Sequence, residues 1–346
     1  MSSRTDRTGV VTGGTWCADH NKLVETWPSE EELIRIISED IRGGGSACNL
    51  GIDLKRLDSD LPVLTIGLVG DDSDGQHLLQ QAMQEGLECS RLVVEAGYRT
   101  TFTDAFTAQD TARRTHFFHP GTSQVLSPDH FDFSGIEARI LHLGLPGLHE
   151  IMDNAWQGDE NGWVSVLKKA RLAGLETNLE LCSLPAEQMR GLIVPCLHHL
   201  DYLIVNDFEI AAVAGRPINH GMAPDIELIL SNATAVLEGT PLKLVIVHFP
   251  MGAVAVTNDG GQLVSPSVDI PTDAIAGTNG AGDAFAAGAL YGLHEGWGLV
   301  DTLKLAHASA ATSMRHIGTT DALVPWFQCL ELASEYGWRQ TISGSG

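Results

Sequence analysis

Gly280, Ala281 and Gly282 stand directly before Asp283, in the run AGTNGAGDAFAAGAL from Ala276 to Leu290. Small residues at the mouth of a helix let successive amide hydrogens point one way and let an anion come close to the backbone. A carboxylate on the first turn beside such an anion is useful when it accepts a proton from a hydroxyl or orients one. These are the parts of phosphoryl transfer to an alcohol: amides take up charge on the migrating group, and Asp283 serves the acceptor. A plain glycine turn followed by an acid that the helix dipole favours has the same composition, and this segment alone leaves both readings open.

A second glycine cluster, RGGGSACNLGIDLKRL (Arg42–Leu57), puts Gly44 and Gly45 before a helix with Leu50, Leu54 and Leu57 on its inward stripe. Asn49 lies one turn into that helix. Its amide both donates and accepts, which suits a polyol, although a surface Asn on a loop-bound helix reads the same way. Between Arg99 and Pro120 the chain is rich in Thr and Phe, alternates, and carries a polar turn, so a hairpin is predicted there. In an extended strand Phe102, Asp104 and Phe106 share one side, as do His116 and Phe118. An acid among aromatics matches the polar edge and apolar face of a sugar, which makes Asp104 and His116 candidate substrate contacts. Asn206 and Glu209 have the spacing of a capping box at a strand-to-helix junction.

The elements that must position these residues alternate. Apolar runs at Gly9–Gly14, Val63–Gly70, Ala138–Leu145, Asp201–Asn206, Lys243–Phe249 and Gly252–Asn258 read as strands covered on both faces. Helical patterns at Ser46–Leu57, Asp74–Gly86, Gly162–Gly174 and Asp225–Gly239 separate several of them. The expected fold is α/β, a three-layer sandwich with a mostly parallel central sheet. The Arg99–Pro120 hairpin and an irregular stretch from Trp16 to about Arg42 are expected to form a small β lid inserted in it. The large domain is then residues 1–15, 43–95 and 120–338, the lid 16–42 and 96–119, and residues 339–346 a disordered tail.

The chain has 346 residues and a net charge of −23, from 21 basic and 44 acidic side chains. Such an acidic chain repels phosphate backbones and anionic lipid, which argues against nucleic-acid and membrane partners. An anionic ligand must be held by a local site, and backbone amides at a helix N-terminus are a usual means. No leader-like apolar segment opens the sequence, and no run reaches the ~18 apolar residues of a membrane span. Six scattered cysteines fit reduced thiols in a cytoplasm.

The two glycine clusters, in this order and at this distance, resemble the paired signatures of the ribokinase-like (phosphofructokinase-B type) carbohydrate kinases. GTNGAGDAFAAGAL is a specific match; RGGGSACN with the downstream LVGDDSDG is a moderately specific one. The resemblance covers nearly the whole chain and implies a parallel α/β sandwich with a β lid. It implies ATP as donor and a sugar or nucleoside hydroxyl as acceptor. It further implies Asp283 as base, with Gly280, Ala281 and Gly282 as its anion hole. By the same resemblance Asp19, in GTWCADH, is a ligand for substrate hydroxyls. Asn206 and Glu209 match an Asn-x-x-Glu motif that places Mg²⁺, largely through water. His307 falls where the family contacts adenine, and Gly252 in its nucleotide loop. The expected partner is a small sugar-like molecule, with a homodimer through the lid, where Phe117 or Phe118 would meet the other copy.

Two departures stand out. VHFPMGA (Val247–Ala253) keeps Gly252 of the family's Thr-x-Gly-x-x-Gly but has Phe249 at the first glycine, and Phe takes a positive φ only at a cost. Gly277 stands where many members carry an Asp that helps hold a monovalent cation, so such a cation is possible but not implied. There is no Walker loop and no H-E-x-x-H. DDSDG fails as an EF-hand because the required Glu is Gln81. The chain therefore reads as an ATP-dependent kinase of a sugar or sugar derivative. A nucleoside kinase of the same fold and a non-catalytic sugar- or nucleotide-binding relative are the alternatives.

Overall fold

The computed structural model describes residues 7–111, 113–216, 218, 224–316 and 318–340. Among them thirteen strands form two sheets. The strands are β1 (Val10–Gly14), β2 (Cys17–Val24), β3 (Ile36–Gly44), β4 (Val63–Gly70), β5 (Glu88–Glu95), β6 (Phe102–Ala108), β7 (Arg114–His119), β8 (Ile140–Gly144), β9 (Glu176–Leu179), β10 (Tyr202–Asn206), β11 (Leu244–Phe249), β12 (Gly252–Thr257) and β13 (Gln262–Pro266). The helices are α1 (Ser46–Leu57), α2 (Ser73–Gln84), α3 (Gly162–Leu172), α4 (Ala186–Ile193), α5 (Asp207–Val213), α6 (Ile226–Leu237), α7 (Ala281–His294), α8 (Leu299–Ser313) and α9 (Trp326–Tyr336).

The large sheet runs β13-β12-β11-β10-β9-β8-β1-β4-β5. It is parallel from β11 to β5, and β12 and β13 add an antiparallel edge. Alternation splits its side chains between two cores. Val10 and Ile246 join a core with α1, α2, α7, α8 and α9, while Val11, Val245 and Val247 join one with α3, α4, α5 and α6. That is the three-layer sandwich the apolar runs require. β1 pairs with both β4 and β8, so successive crossovers leave it in opposite directions. Such a switch point opens a crevice at the carboxyl ends of the strands, where ligands of open α/β sheets bind.

The composition of α7 answers a packing need. A Cβ on Gly288 would lie 2.8 Å from Ala306 Cα, and one on Gly292 2.7 Å from Thr302 Oγ1. Small residues therefore let α7 approach α8 closely. Local signals hold the other helices. Asp72, Asn161 and Asp225 each accept a hydrogen bond from the third amide of the helix they open, worth about 1 kcal/mol apiece.

The second sheet, β3-β2-β6-β7, is the lid. The expected hairpin is β6 with β7, paired Phe102↔His119 through Thr107↔Arg114. The stretch from Trp16 to Arg42, which shows no apolar rhythm in sequence, supplies β2 and most of β3. Asp72 ties the lid down: besides capping α2 it accepts from Thr100 N at 2.9 Å and Thr100 Oγ1 at 2.5 Å. Phe249 is not at a positive φ. It ends β11 in extended conformation, pairs with Gly252 across a two-residue turn, and is buried in the α3–α6 core. The strain expected for a Phe in glycine's place does not arise. Arg339, assigned by sequence to a disordered tail, is held in place: its amide donates to Ser267 O at 2.9 Å. Residues 341–346 of that tail lie outside the described residues.

Candidate active site

α7 begins just past the sheet crevice. Gly280 is left-handed at φ 76°, and an added Cβ there would fall 2.3 Å from Thr319 O. Gly282 differs: a Cβ would meet only His248, at 3.7 Å. Gly280 therefore serves the turn and a close backbone contact, whereas Gly282 leaves space open. No side chain caps this helix.

Two cavities flank the turn. One, of about 450 Å³, is lined by Ala281 and Gly282 together with Asn206, His248, Phe249, Phe285 and His307. Its walls are largely apolar, with Val268, Ile270, Ile275 and Met314 among them, while Asp207, Ser267, Thr278 and Arg339 add polar groups. His307 packs edge-on against Phe285 at 5.1 Å, and its buried Nε2 has no partner. Burial pushes its pKa down to about 3, so it is neutral. Gly252 does not line this cavity; it starts β12 opposite Phe249 and Pro266.

The other cavity, of about 370 Å³, lies under the lid and is lined by Asp19, Asn21, Arg42, Arg114, Asn279 and Thr319 among others. Gly44 is needed for Asp19 to sit there, since a Cβ on it would be 2.4 Å from Asp19 Oδ2. Gly45, at φ 86°, packs against Thr15 O and opens α1. Burial raises the Asp19 pKa to about 6 against the pull of Arg114.

Asp283 stands at the base of this arrangement. Asn49 Nδ2 donates to its Oδ2 at 2.8 Å, while Asn49 Oδ1 is buried without a partner. The Asp283 pKa is raised well above the ordinary range, by burial and then by the charge of Glu180, which also shares a hydrogen bond with it. Asp19 feels the charge of Asp283 too. The sequence thus brings Gly280–Asp283, Gly44, Gly45, Asn49 and Asp19 to one crevice.

Asp104 is not brought there. It shares a side of β6 with Phe102 and Phe106 as expected, but that side faces away from Asp19. There Asp104 pairs with Lys22 and, at 3.6 Å, with His20 Nδ1. His20 Nε2 lies 3.1 Å from Asp74 of α2, so Asp104 belongs to a chain of polar contacts running from lid to body. His116, opposite Ala105, lies on the Arg114 side of the lid but outside the cavity lining. Sequence reasoning missed Glu180, His142, Ser46, His248 and Arg42; Arg42, Ser46 and His248 lie inside the quoted motifs without being singled out, and Glu180 and His142 lie in none.

Asn206 and Glu209 form a complete capping box. Glu209 Oε2 accepts from Asn206 N, and Asn206 Oδ1 accepts from Glu209 N, both at 2.9 Å. Burial lifts the Glu209 pKa to about 7. The cap leaves Oε1 of Glu209 uncommitted, and hard oxygen donors in acidic surroundings fit Mg²⁺ held through water. No group of three or more His, Cys, Asp or Glu suited to hold a metal directly occurs among the described residues.

Residues 8–326 match the model of the pfkB family carbohydrate kinases. The chain belongs to that family. Its members are phosphotransferases with an alcohol group as acceptor, and this chain is one of them. A 5-dehydro-2-deoxygluconokinase from Shouchella clausii is 22% identical over 322 residues, 91% of this chain and 92% of that one. An adenosine kinase from Schizosaccharomyces pombe is 32% identical over 138 residues, which is 39% of this chain and 38% of that protein. The structure of an Arabidopsis thaliana ribokinase complexed with ribose and ATP superposes with a TM-score of 0.76 at 19% identity, over 94% of this chain and 99% of the other. The fold of this family member is ribokinase-like.

Proposed function

We propose that this kinase transfers the γ-phosphoryl group of ATP to a hydroxyl of a sugar or sugar derivative. One observation carries the reading: Asp283, held by Asn49, directly follows Ala281 and Gly282, which line a cavity that suits a purine, and its charge is felt by Asp19, which lines the cleft under the lid. In this reading His307, Phe285 and His248 flank the base. The amides at the uncapped start of α7, of which Ala281 N is held only by a 3.4 Å bond to Thr278 O, take up charge on the transferred group. Asp19 and Asn49 hold acceptor hydroxyls, and Asp283 receives the proton of the reacting one. Asn206 and Glu209 would hold Mg²⁺ through water, and when bound the metal would neutralise phosphate charge. Closure of the lid excludes water that would otherwise hydrolyse ATP.

The lining of the lid cleft favours a sugar over a nucleoside. Its wall is rich in hydrogen-bonding groups, with Asp19, Asn21, Ser38, Asp40, Arg42, Thr107 and Arg114, and among the described lining residues it has no Phe, Tyr or Trp, His316 being the one ring. The aromatic cluster of Trp27, Phe106 and Phe117 on the lid leaves Trp27 47% and Phe117 54% exposed, which supports a homodimer through the lid. Six free thiols support a cytoplasmic setting. ATP consumption measured across sugars, sugar acids and nucleosides tests the function. Turnover with at least one sugar-class acceptor is expected. Turnover with nucleosides alone would replace the sugar, and none with any alcohol would remove the kinase reading.

A further inference from the structure

Glu180 follows β9 and hydrogen-bonds the proposed base, which Asn49 also holds. Its Oε2 accepts from Ser46 Oγ at 2.7 Å and lies 2.7 Å from His142 Nε2. Asn178 Nδ2 donates to His142 Nδ1 at 3.0 Å, which leaves the ring proton on Nε2, aimed at Glu180. Ser46 Oγ and His142 Nε2 are themselves 2.9 Å apart. His142 is fully buried, and burial lowers its pKa to about 3, so it stays a neutral donor. One Glu180 oxygen is thus fixed by two donors, and the carboxyl hydrogen-bonds Asp283.

The surroundings oppose two charges here. Asp53 and Cys48 face the pair from α1, Asp19 from β2, Cys182 from beyond β9, and Glu209 from α5. The carboxyls among them all push in the same direction. Asp53 is completely buried and neither of its oxygens has a partner. Two adjacent carboxyls in such a setting keep one proton between them and titrate as a pair.

Resting on the kinase reading above, we propose that Glu180 is a positioning residue. Anchored by Ser46 and His142, it accepts the hydrogen bond of Asp283 and shares one proton with it, so the pair is the unit that must lose a proton before the acceptor can react. In the reaction the acceptor O–H bond breaks and its proton passes to Asp283. The acceptor oxygen bonds the γ-phosphorus, and the P–O bond to ADP breaks with its electron pair on ADP. The proton taken up occupies the position the shared proton had left, and returns to water before the next cycle. Glu180 thus orients the Asp283 oxygen that faces the acceptor and sets the pH at which the base becomes available.

The test is the pH profile of kcat/KM for the parent, Glu180→Gln and Ser46→Ala, with ATP and the acceptor found by turnover. Glu180→Gln removes a neighbouring negative charge, so the acidic limb should move to lower pH by ~1 unit or more. Ser46→Ala withdraws a donor from the Glu180 carboxylate, so the limb should move to higher pH. A merely structural role predicts no such opposed shifts. A Glu180→Gln limb within about 0.3 pH unit of the parent, under about a third of the smallest shift expected, would overturn the proposal. A ¹³C-carboxyl NMR titration of the parent needs neither acceptor nor variant. Asp283 and Glu180 should move together at shared midpoints, and two independent single-site curves would also overturn it. Because that titration requires no turnover, its outcome is separable from failure of the kinase reading.

Discussion

Asn49 Nδ2 donates to Asp283 Oδ2 at 2.8 Å, joining the two glycine-led helices across 234 positions of sequence. A hydrogen bond to a charged group is worth ~1.5–3 kcal/mol. Asn49→Ala should therefore lower kcat/KM by ~10–150-fold. It should also move the acidic limb to higher pH, because Asn49 favours the charged form of Asp283. Steady-state kinetics against pH check this, and an unchanged kcat/KM would speak against the pairing.

Asp19 costs stability at neutral pH. Burial raises its pKa to about 6 from an ordinary 3.8, so the folded state binds this proton more tightly than the unfolded one. Its contribution is fully favourable below about pH 4 and is lost as pH rises through about 6. Asp19→Asn removes the dependence. The variant should be more stable than the parent at pH 7, by at most ~2–3 kcal/mol, and equal to it at pH 4, with acceptor KM raised. Urea melts across that range measure the difference.

In the proposed reading Glu209 links Mg²⁺ binding to pH. Burial raises its pKa to about 7, and a bound cation would favour the charged form. Apparent Mg²⁺ affinity should rise with pH through about 7. Glu209→Gln should raise the Mg²⁺ needed for half-maximal rate by ~10–100-fold. A Gln can still accept from Asn206 N, so the melt should shift by no more than ~1 kcal/mol. Mg²⁺ titrations at pH 6 and 8 report both effects.

Much of this was legible from sequence because the signals were local. Strands buried on both faces read as apolar runs, and Gly280 to Asp283 announced a glycine turn opening a helix. The polar edge strands β5 and β13 and the four-residue β9 gave no such signal. Neither did β2 and β3, most of whose side chains are exposed or half-buried. Alternation showed that Phe102, Asp104 and Phe106 share a side, but which side faces the cleft depends on β2, whose His20 and Lys22 claim Asp104. Glu180 is anchored beside Asp283 by Ser46 of α1 and His142 of β8, itself held by Asn178 of β9, a conjunction that only the tertiary fold makes. Phe249 shows the converse: a family glycine was replaced without strain because the backbone here is extended.

Replacing Asp283 by Asn tests the central claim most directly. The amide preserves shape and can still pair with Asn49, but it cannot take the acceptor's proton. With ATP and the acceptor found by turnover, kcat should fall by ~10²–10⁴-fold or more while the Kd of both ligands stays within about threefold. A kcat within about tenfold of the parent, below the range of a positioned base, would contradict the assignment of Asp283 as the base.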